Sequence, residues 1–348
     1  YQPSPSNSSV WTPRVALKDP DPNATFNPTN FFGYSLSINS DGSQLAIGSP
    51  LAWSEGGQFP FKTGKVFLHG RDTGGVESWG FIRTFQPPLF VPNARFGRSV
   101  ALDGDQLAVG APGYFTTSTN GSAFVFERDP GPAWQLAREF AAPTLSGAWI
   151  LKGFGERIAL SGNHLAVAAP EADLLYRNAG AVVVYERRTS YDPGFGGTLK
   201  VWFHGILYPP GLEPFLSNPN PPQAPFELSK LFGRVLSLDG GTLVAGWRVS
   251  LLPFDPFSGL NTLVRYEHQG HVSPDVALNW KREAVTPVEA FNLDGIANAI
   301  ISGSLLVVTS TNENLGGTNF DSPSSAAMLD AGVPLVSMQV QYSLLDRR

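Results

Sequence analysis

The sequence predicts an all-β chain assembled from repeated four-stranded units, and three observations carry that prediction. The first is composition: 37 Gly and 30 Pro stand in 348 residues, about a fifth of the chain against roughly 12% in average usage. Both residues interrupt helices and ladders, so in a chain that is 42% hydrophobic they imply many short segments separated by turns and nearly exclude long helices. The second is a recurring pattern of Phe-Gly, a short apolar run, a tight turn and a second apolar run ending in Gly-Ala-Pro or a variant of it. The third is the period of that pattern, whose Phe positions lie 64, 58, 78 and 59 residues apart.

In the first copy Phe32-Gly33 opens a run to Ile38, Asp41-Gly42 turns the chain, and Leu45 to Ile47 leads to Gly48-Ser49-Pro50. The second runs from Phe96-Gly97 through Asp103-Gly104-Asp105 to Gly110-Ala111-Pro112, and the third from Phe154-Gly155 through Ser161-Gly162-Asn163 to Ala168-Ala169-Pro170. The fourth joins Phe232-Gly233 through Asp239-Gly240-Gly241 to Leu243 and Gly246, without the proline. A worn fifth copy spans Phe291 to Gly295, Ala299 to Gly303 and Leu305 to Val308. After a loop each copy has a third apolar run, at Lys65 to Leu68, Ala123 to Phe126, Ala181 to Tyr185, Leu263 to Tyr266 and Ala326 to Leu329. A fourth run starts on tryptophan at Trp79, Trp134 and Trp280. Short β-branched and aromatic runs bounded by such turns are strands joined by hairpins, so the unit is a four-stranded antiparallel meander. One meander cannot bury both faces, whereas radial repetition of four-stranded sheets can. The architecture this implies is a β-propeller, with five blades favoured and up to seven if degenerate ones are concealed. A parallel solenoid fits less well, because its period is about 20–30 residues.

Phe-Gly followed by Gly-Ala-Pro resembles the FG-GAP repeat of integrin α-subunit propellers and of many secreted proteins. The resemblance covers about residues 31–330 and implies a propeller and, by analogy alone, adhesion. The motif residues themselves read as structural: glycine for close approach of strands and turns, Phe as filler between blades. The domain organisation expected is an N-terminal segment, 1–30, then the propeller over 31–348 with a proline-rich insertion at about 189–228. A strand at about 11–17 is expected to close the last blade. Yet Pro334 to Leu345, with Val336, Met338, Val340 and Tyr342 alternating, competes for the same place, so one strand is surplus. It either extends that blade or is exchanged with a neighbouring molecule, which makes self-association an expected partner mode.

Charge and residue usage remove several function classes. Lys and Arg number 24 against 29 Asp and Glu, a net charge of −5 with no basic run, so nucleic acid is not an expected partner. No apolar run approaches the ~18 residues of a membrane-spanning helix. Cysteine is absent, which excludes disulfides, thiolate catalysis and Cys-ligated zinc. Neither a Gly-x-Ser-x-Gly elbow nor a Walker or dinucleotide motif occurs. The five histidines, His69, His164, His204, His268 and His271, fall at unrelated places in the repeat and share no face; the two-residue gap of His268-Gln269-Gly270-His271 could pinch a metal, but without acidic or further histidine partners the pair reads as exposed loop residues. Integrin-like relatives carry calcium loops between the first two strands, but the turns here are too short for the six or more oxygens calcium takes. Asp19-Pro20-Asp21-Pro22-Asn23 lacks the glycine and terminal acid of such a loop. No metal, cofactor or catalytic residue is expected, and the chain reads as non-enzymatic. The alternative is a carbohydrate-active or other hydrolytic propeller with carboxylates converging on the axis.

A start at Tyr1 suggests a processed N-terminus, and sequons at Asn7, Asn23 and Asn120 fall in stretches that read as loop. Together they favour a secreted, glycosylated protein at the cell surface. Long inter-strand loops carry Trp53, Phe59, Phe61, Tyr114, Phe115, Tyr176, Trp247, Phe254 and Phe257, and aromatic groups on exposed loops are typical of binding surfaces. The expected function is therefore a module that binds a protein or glycan, or a structural subunit of a surface assembly or filament.

Overall fold

A computed structural model of the chain describes residues 2–4, 7–12, 16–21, 29–54, 61–76, 78–114, 120–128, 131, 133–145, 149–174, 178–192, 197–210, 231–250, 259–287, 298–303, 305–310, 324–330 and 333–340. Five four-stranded antiparallel sheets follow one another, each a meander in chain order, and they are the blades the repeat predicts. Blade one is β3 (Ser35–Ile38), β4 (Gln44–Ser49), β5 (Lys65–Arg71) and β6 (Trp79–Phe85), after a separate hairpin of β1 (Gln2–Ser4) and β2 (Asn7–Thr12). Blade two is β7 (Ser99–Asp103), β8 (Gln106–Ala111), β9 (Ser122–Arg128) and β10 (Trp134–Ala141). Blade three is β11 (Arg157–Ser161), β12 (His164–Ala169), β13 (Ala181–Asp192) and β14 (Gly197–Leu207). Blade four is β15 (Val235–Asp239), β16 (Thr242–Ser250), β17 (Gly259–His268) and β18 (Trp280–Pro287), with a 3-10 turn at Val276–Asn279 ahead of β18. Blade five is β19 (Asn298–Ser302), β20 (Leu305–Ser310), β21 (Ser324–Asp330) and β22 (Val333–Val340).

The spacing of Phe-Gly and Gly-Ala-Pro has a direct cause in the hydrogen bonding. Each Phe-Gly glycine donates its N–H to the carbonyl of the residue that ends the second strand's motif: Gly33 to Gly48 (3.1 Å), Gly97 to Gly110 (3.1 Å), Gly155 to Ala168 (3.1 Å) and Gly233 to Gly246 (2.9 Å). These four glycines have φ of +88°, +86°, +93° and +89°, values L side chains rarely adopt. Gly97 also lies where a Cβ would sit 2.6 Å from the Lys65 carbonyl of the preceding blade. The accompanying Phe96, Phe154 and Phe232 are fully buried.

The chain divides into two compact units, Tyr1–Thr119 with Phe124–Glu139, and Asn120–Ala123 with Phe140–Arg348. In the first, Ala46, Val66 and Leu68 of blade one share a core with Val100, Leu102 and Leu107 of blade two, closed by Phe96, Phe124, Phe126 and Trp134. The inner strands β3 and β7 run side by side; Ser35 Oγ donates to the Gly97 carbonyl (2.8 Å) and Ser37 Oγ accepts from Leu102 N (2.9 Å). In the second unit Ala159, Ala166 and Ala168 of blade three pack against Leu236 and Leu238 of blade four, with Phe232 between. Ser237, the equivalent of Ser37, likewise accepts from Ile301 N of blade five (2.9 Å).

Two expected boundaries change. Trp11 and Thr12 end β2, which pairs with β1 and not with a blade, and Ala16 and Leu17 lie outside any strand. Pro13, which has no N–H to give to a ladder, follows directly. The fourth strand of blade five is β22, from the Pro334 to Leu345 candidate. The insertion expected from 189 begins later: β13 and β14 stay paired from Val182↔Leu207 to Asp192↔Gly197. Residues 198–203 are rich in β-branched and aromatic types that suit a strand, and the proline-rich part that follows, 211–230, lies outside the described residues.

The acids of Asp19-Pro20-Asp21-Pro22-Asn23 have protein partners. Asp19 accepts from Asp21 N (2.9 Å) and from the Asn30 amide, and buried Asp21 pairs with the buried Lys65 ammonium at 3.0 Å; Asn23 lies outside the described residues. Among the described residues no helix is long and apolar enough to cross a membrane.

Candidate functional site

The predicted aromatic face is only partly within the described residues. Phe59, Phe115, Tyr176, Phe254 and Phe257 lie outside them. Phe61 is exposed, and Trp53 is half-buried with Lys62 Nζ 5.8 Å from its ring centre. Tyr114 is a correction: it is fully buried, edge-on to Phe124 with centroids 5.1 Å apart. Its N–H closes a turn on the Ala111 carbonyl (3.1 Å), the same turn that buries Ala52 and Ala172 in the neighbouring copies. Trp247 is also not a loop residue, since it lies in β16 opposite Thr262. Of the sequons, Asn7 is in β2, Asn23 lies outside the described residues, and Asn120 is half-buried with its carbonyl accepting from Phe154 N (3.1 Å).

A different apolar surface stands on β3. Leu36 and Ile38 are 62% and 54% exposed, although their counterparts Val100 and Leu102, and Leu236 and Leu238, are core residues packed on the blade before them. Ser35 and Ser37 point the other way, to blade two. Exposed Phe31 and Tyr34 extend the surface, ring to ring at 6.3 Å, with the Arg98 guanidinium 4.3 Å from the Tyr34 ring centre.

Three histidines from two separate places in the sequence meet between blades three and four, where none was expected to share a face. His164 opens β12 directly opposite Glu186 of β13. His268 ends β17, opposite Trp280, and His271 follows in the connection that carries the 3-10 turn. Strands two and three of a blade are antiparallel, so the first residue of one and the last of the other share an edge. The hairpins of the two blades adjoin there, with Gly240 N donating to Ser161 Oγ (2.9 Å). Donor atoms of His164, Glu186 and His268 all lie within 4.8 Å of one another. The His164 and His268 rings are 4.5 Å apart and both rest against Trp280, at 5.3 and 5.1 Å.

The connection is held down locally. Asp275 caps the 3-10 turn by accepting from Ala277 N (2.9 Å). Asn279, fully buried, accepts from Ser273 N (2.7 Å) and donates to Glu186 Oε2 (3.4 Å). Gly205 of β14 makes room for the turn, because a Cβ there would sit 2.1 Å from Ala277 N.

Burial and neighbouring charge act together on His164, His268 and Glu186. Burial pushes His164 below the ordinary histidine value, and His268 beside it adds to the shift against the opposing pull of Glu186. Burial does the same to His268, again opposed by Glu186. For Glu186, burial acts upwards, but the Arg188 hydrogen bond and charge, with His271 and His268, outweigh it and hold the carboxyl below the usual range. Arg188 Nη2 bonds Glu186 Oε2 at 2.9 Å. Such a set, two lone-pair donors and a fixed carboxylate, is the chemistry of a Lewis-acid ligand group.

Residues 91–126, which run from the end of blade one to β9, match the FG-GAP repeat family. No curated protein sequence matches the chain. Among solved structures it is similar to TolB from Agrobacterium tumefaciens (11% identity, TM-score 0.40, 88% of this chain and 80% of that one). It is also similar to the periplasmic gluconolactonase PpgL of Pseudomonas aeruginosa (13%, 0.41, 88% and 85%) and to the Pan2 WD40 domain of Neurospora crassa (8%, 0.39, 90% and 79%). Residues 91–126 are an FG-GAP repeat, and the chain that carries it is a β-propeller of four-stranded antiparallel blades.

Proposed function

We propose that the chain is a non-enzymatic extracellular β-propeller that binds a protein or glycan, or serves as a structural subunit of a surface assembly or filament. The observation that carries this reading is the apolar face of β3, where Leu36 and Ile38 are exposed in positions that other blades cover with a preceding blade. Covering a large aliphatic side chain contributes ~1.5–3 kcal/mol, and an apolar patch beside aromatic and arginine groups has the composition of an interface centre. The sequons support an extracellular setting. For the subunit reading, the occupant of this face is a second copy of the chain.

The test compares the native chain with a Leu36→Asp, Ile38→Asp double variant by light scattering and negative-stain electron microscopy. The expected result is concentration-dependent association of the native chain, loss of it in the variant, and an unchanged unfolding midpoint. A variant that is strongly destabilised while association is unaltered would show that these side chains belong to the internal core and sink the proposal.

A further inference from the structure

We propose that His164, Glu186 and His268, with His271 at the solvent side, form a binding site for a divalent transition-metal ion of the zinc class. Three observations on the molecule point there. The ligand set is right: two imidazoles and a carboxylate are groups that coordinate such an ion, and their donor atoms already lie within 4.8 Å of one another. Bonds of about 2.0–2.2 Å in a tetrahedral site place donors about 3.3 Å apart, so capture requires only side-chain rotations of roughly 1.5 Å.

The second observation is a buried ring nitrogen without a hydrogen bond. It is His268 Nε2, on the side of the ring that faces Glu186. Buried polar atoms almost always have partners, and an ion ligated by Nε2 supplies one. Glu186 is held in place: Arg188 and Asn279 bond Oε2, and His271 Nδ1 stands against Oε1. His268 Nε2 is 3.8 Å from Glu186 Oε2 without bonding to it. Outer partners that fix a carboxylate are the usual support of a metal ligand.

The third observation is access. The His271 side chain is 62% exposed, so the site opens to solvent through a ligand that can swing, while His164, Glu186 and His268 stay on strands. Capture has a local cost. Gly270 N–H reaches His268 Nδ1 at 3.3 Å, and that long contact is given up when Nε2 ligates and Nδ1 takes the proton. Arg188 neutralises part of the carboxylate charge, which favours an ion bound mainly through nitrogen over calcium or magnesium, which prefer oxygen.

The experiment titrates the full chain with Zn2+ alone by calorimetry near neutral pH and with Co2+ by visible absorption. The expected result is one saturable site of micromolar or better affinity, and cobalt bands of tetrahedral or five-coordinate intensity that Zn2+ removes stoichiometrically. His164→Ala, His268→Ala and Glu186→Gln each weaken Zn2+ at least tenfold, and His204→Ala does not. The cobalt spectrum of the unaltered chain keeps the test valid where a variant fails to fold. Absence of saturable binding overturns the proposal, and so does full affinity in the folded His164 and His268 variants.

Discussion

Replacing Gly205 by alanine perturbs the contact that seats the 3-10 turn of blade four on β14 of blade three. The new Cβ would stand 2.1 Å from Ala277 N and 2.8 Å from both Ala277 Cα and Cβ. Ordinary contact begins near 3.4 Å, so the turn must retreat by about 1.3 Å, and a backbone amide cannot rotate out of the way. Gly205 has no positive φ, so the cost is purely steric. Overpacking of this kind costs ~1–3 kcal/mol, and loosening Val276, which is fully buried beneath the turn, forfeits part of a further ~1.5–3 kcal/mol. The expected destabilisation is about 2–4 kcal/mol, read from the urea midpoint followed by tryptophan fluorescence, to which Trp202 and Trp280 on either side contribute. Gly241→Ala serves as the comparison, because its Cβ would meet only His268 Cβ at 3.4 Å. If Gly205→Ala changes stability by less than about 0.5 kcal/mol, the turn does not rest on β14 as described.

Phe96→Ala removes a fully buried ring that contacts Phe124 and Phe126 at 5.4 and 6.1 Å, and is expected to cost ~3–5 kcal/mol in denaturant unfolding. Gly64→Ala combines a φ of +89° with a Cβ 2.1 Å from the Phe96 carbonyl, so it should unfold the first unit as severely as Phe96→Ala. For pH, the folded values of His164 and His268 lie below the unfolded one. The unfolded chain therefore binds more protons just below pH 6.5, and stability falls as pH drops from there towards the folded values. Glu186 acts lower down: its depressed value gives stability that is present above the ordinary glutamate range and lost as pH falls through the folded value. His164→Ala should flatten the upper part of this slope in midpoints measured between pH 7 and 5.5. Material secreted from a eukaryotic host should carry a glycan at Asn120, seen as a mass shift removed by endoglycosidase and by Asn120→Gln.

Local chemistry makes the blades legible in the sequence: Phe-Gly needs a positive φ, Asp-Gly turns a hairpin, and the period admits four strands. The same reasoning stopped at relations between blades. Tyr114 reads as a loop aromatic because it follows Gly-Ala-Pro, yet the repeat aligns it with the buried Ala52 and Ala172 of other copies, and small residues at equivalent positions are the available sign of a buried site. The fourth strand of blade three was missed because its tryptophan, Trp202, lies inside the strand instead of at its start. His164 and His268 seemed unrelated in linear spacing. Only when strands two and three are laid antiparallel, and the next blade is set beside them, do the two fall on one edge, and the partner that makes them chemically interesting, Glu186, belongs to the facing strand.

The connection between β17 and β18 has a consequence for how the molecule comes apart. It leaves blade four, lies on β13 and β14 of blade three, and bonds Glu186 through Asn279 before returning. In an array of repeats held only by nearest-neighbour faces, each unit can open with its own free energy. A segment of one blade fastened to another forbids that: blade three cannot release its outer strands without stripping this segment, and blade four cannot move without breaking its hold on Glu186. Amide hydrogens in β13, β14 and β17 should therefore exchange as a single cooperative unit, with one opening free energy where neighbouring blades show two.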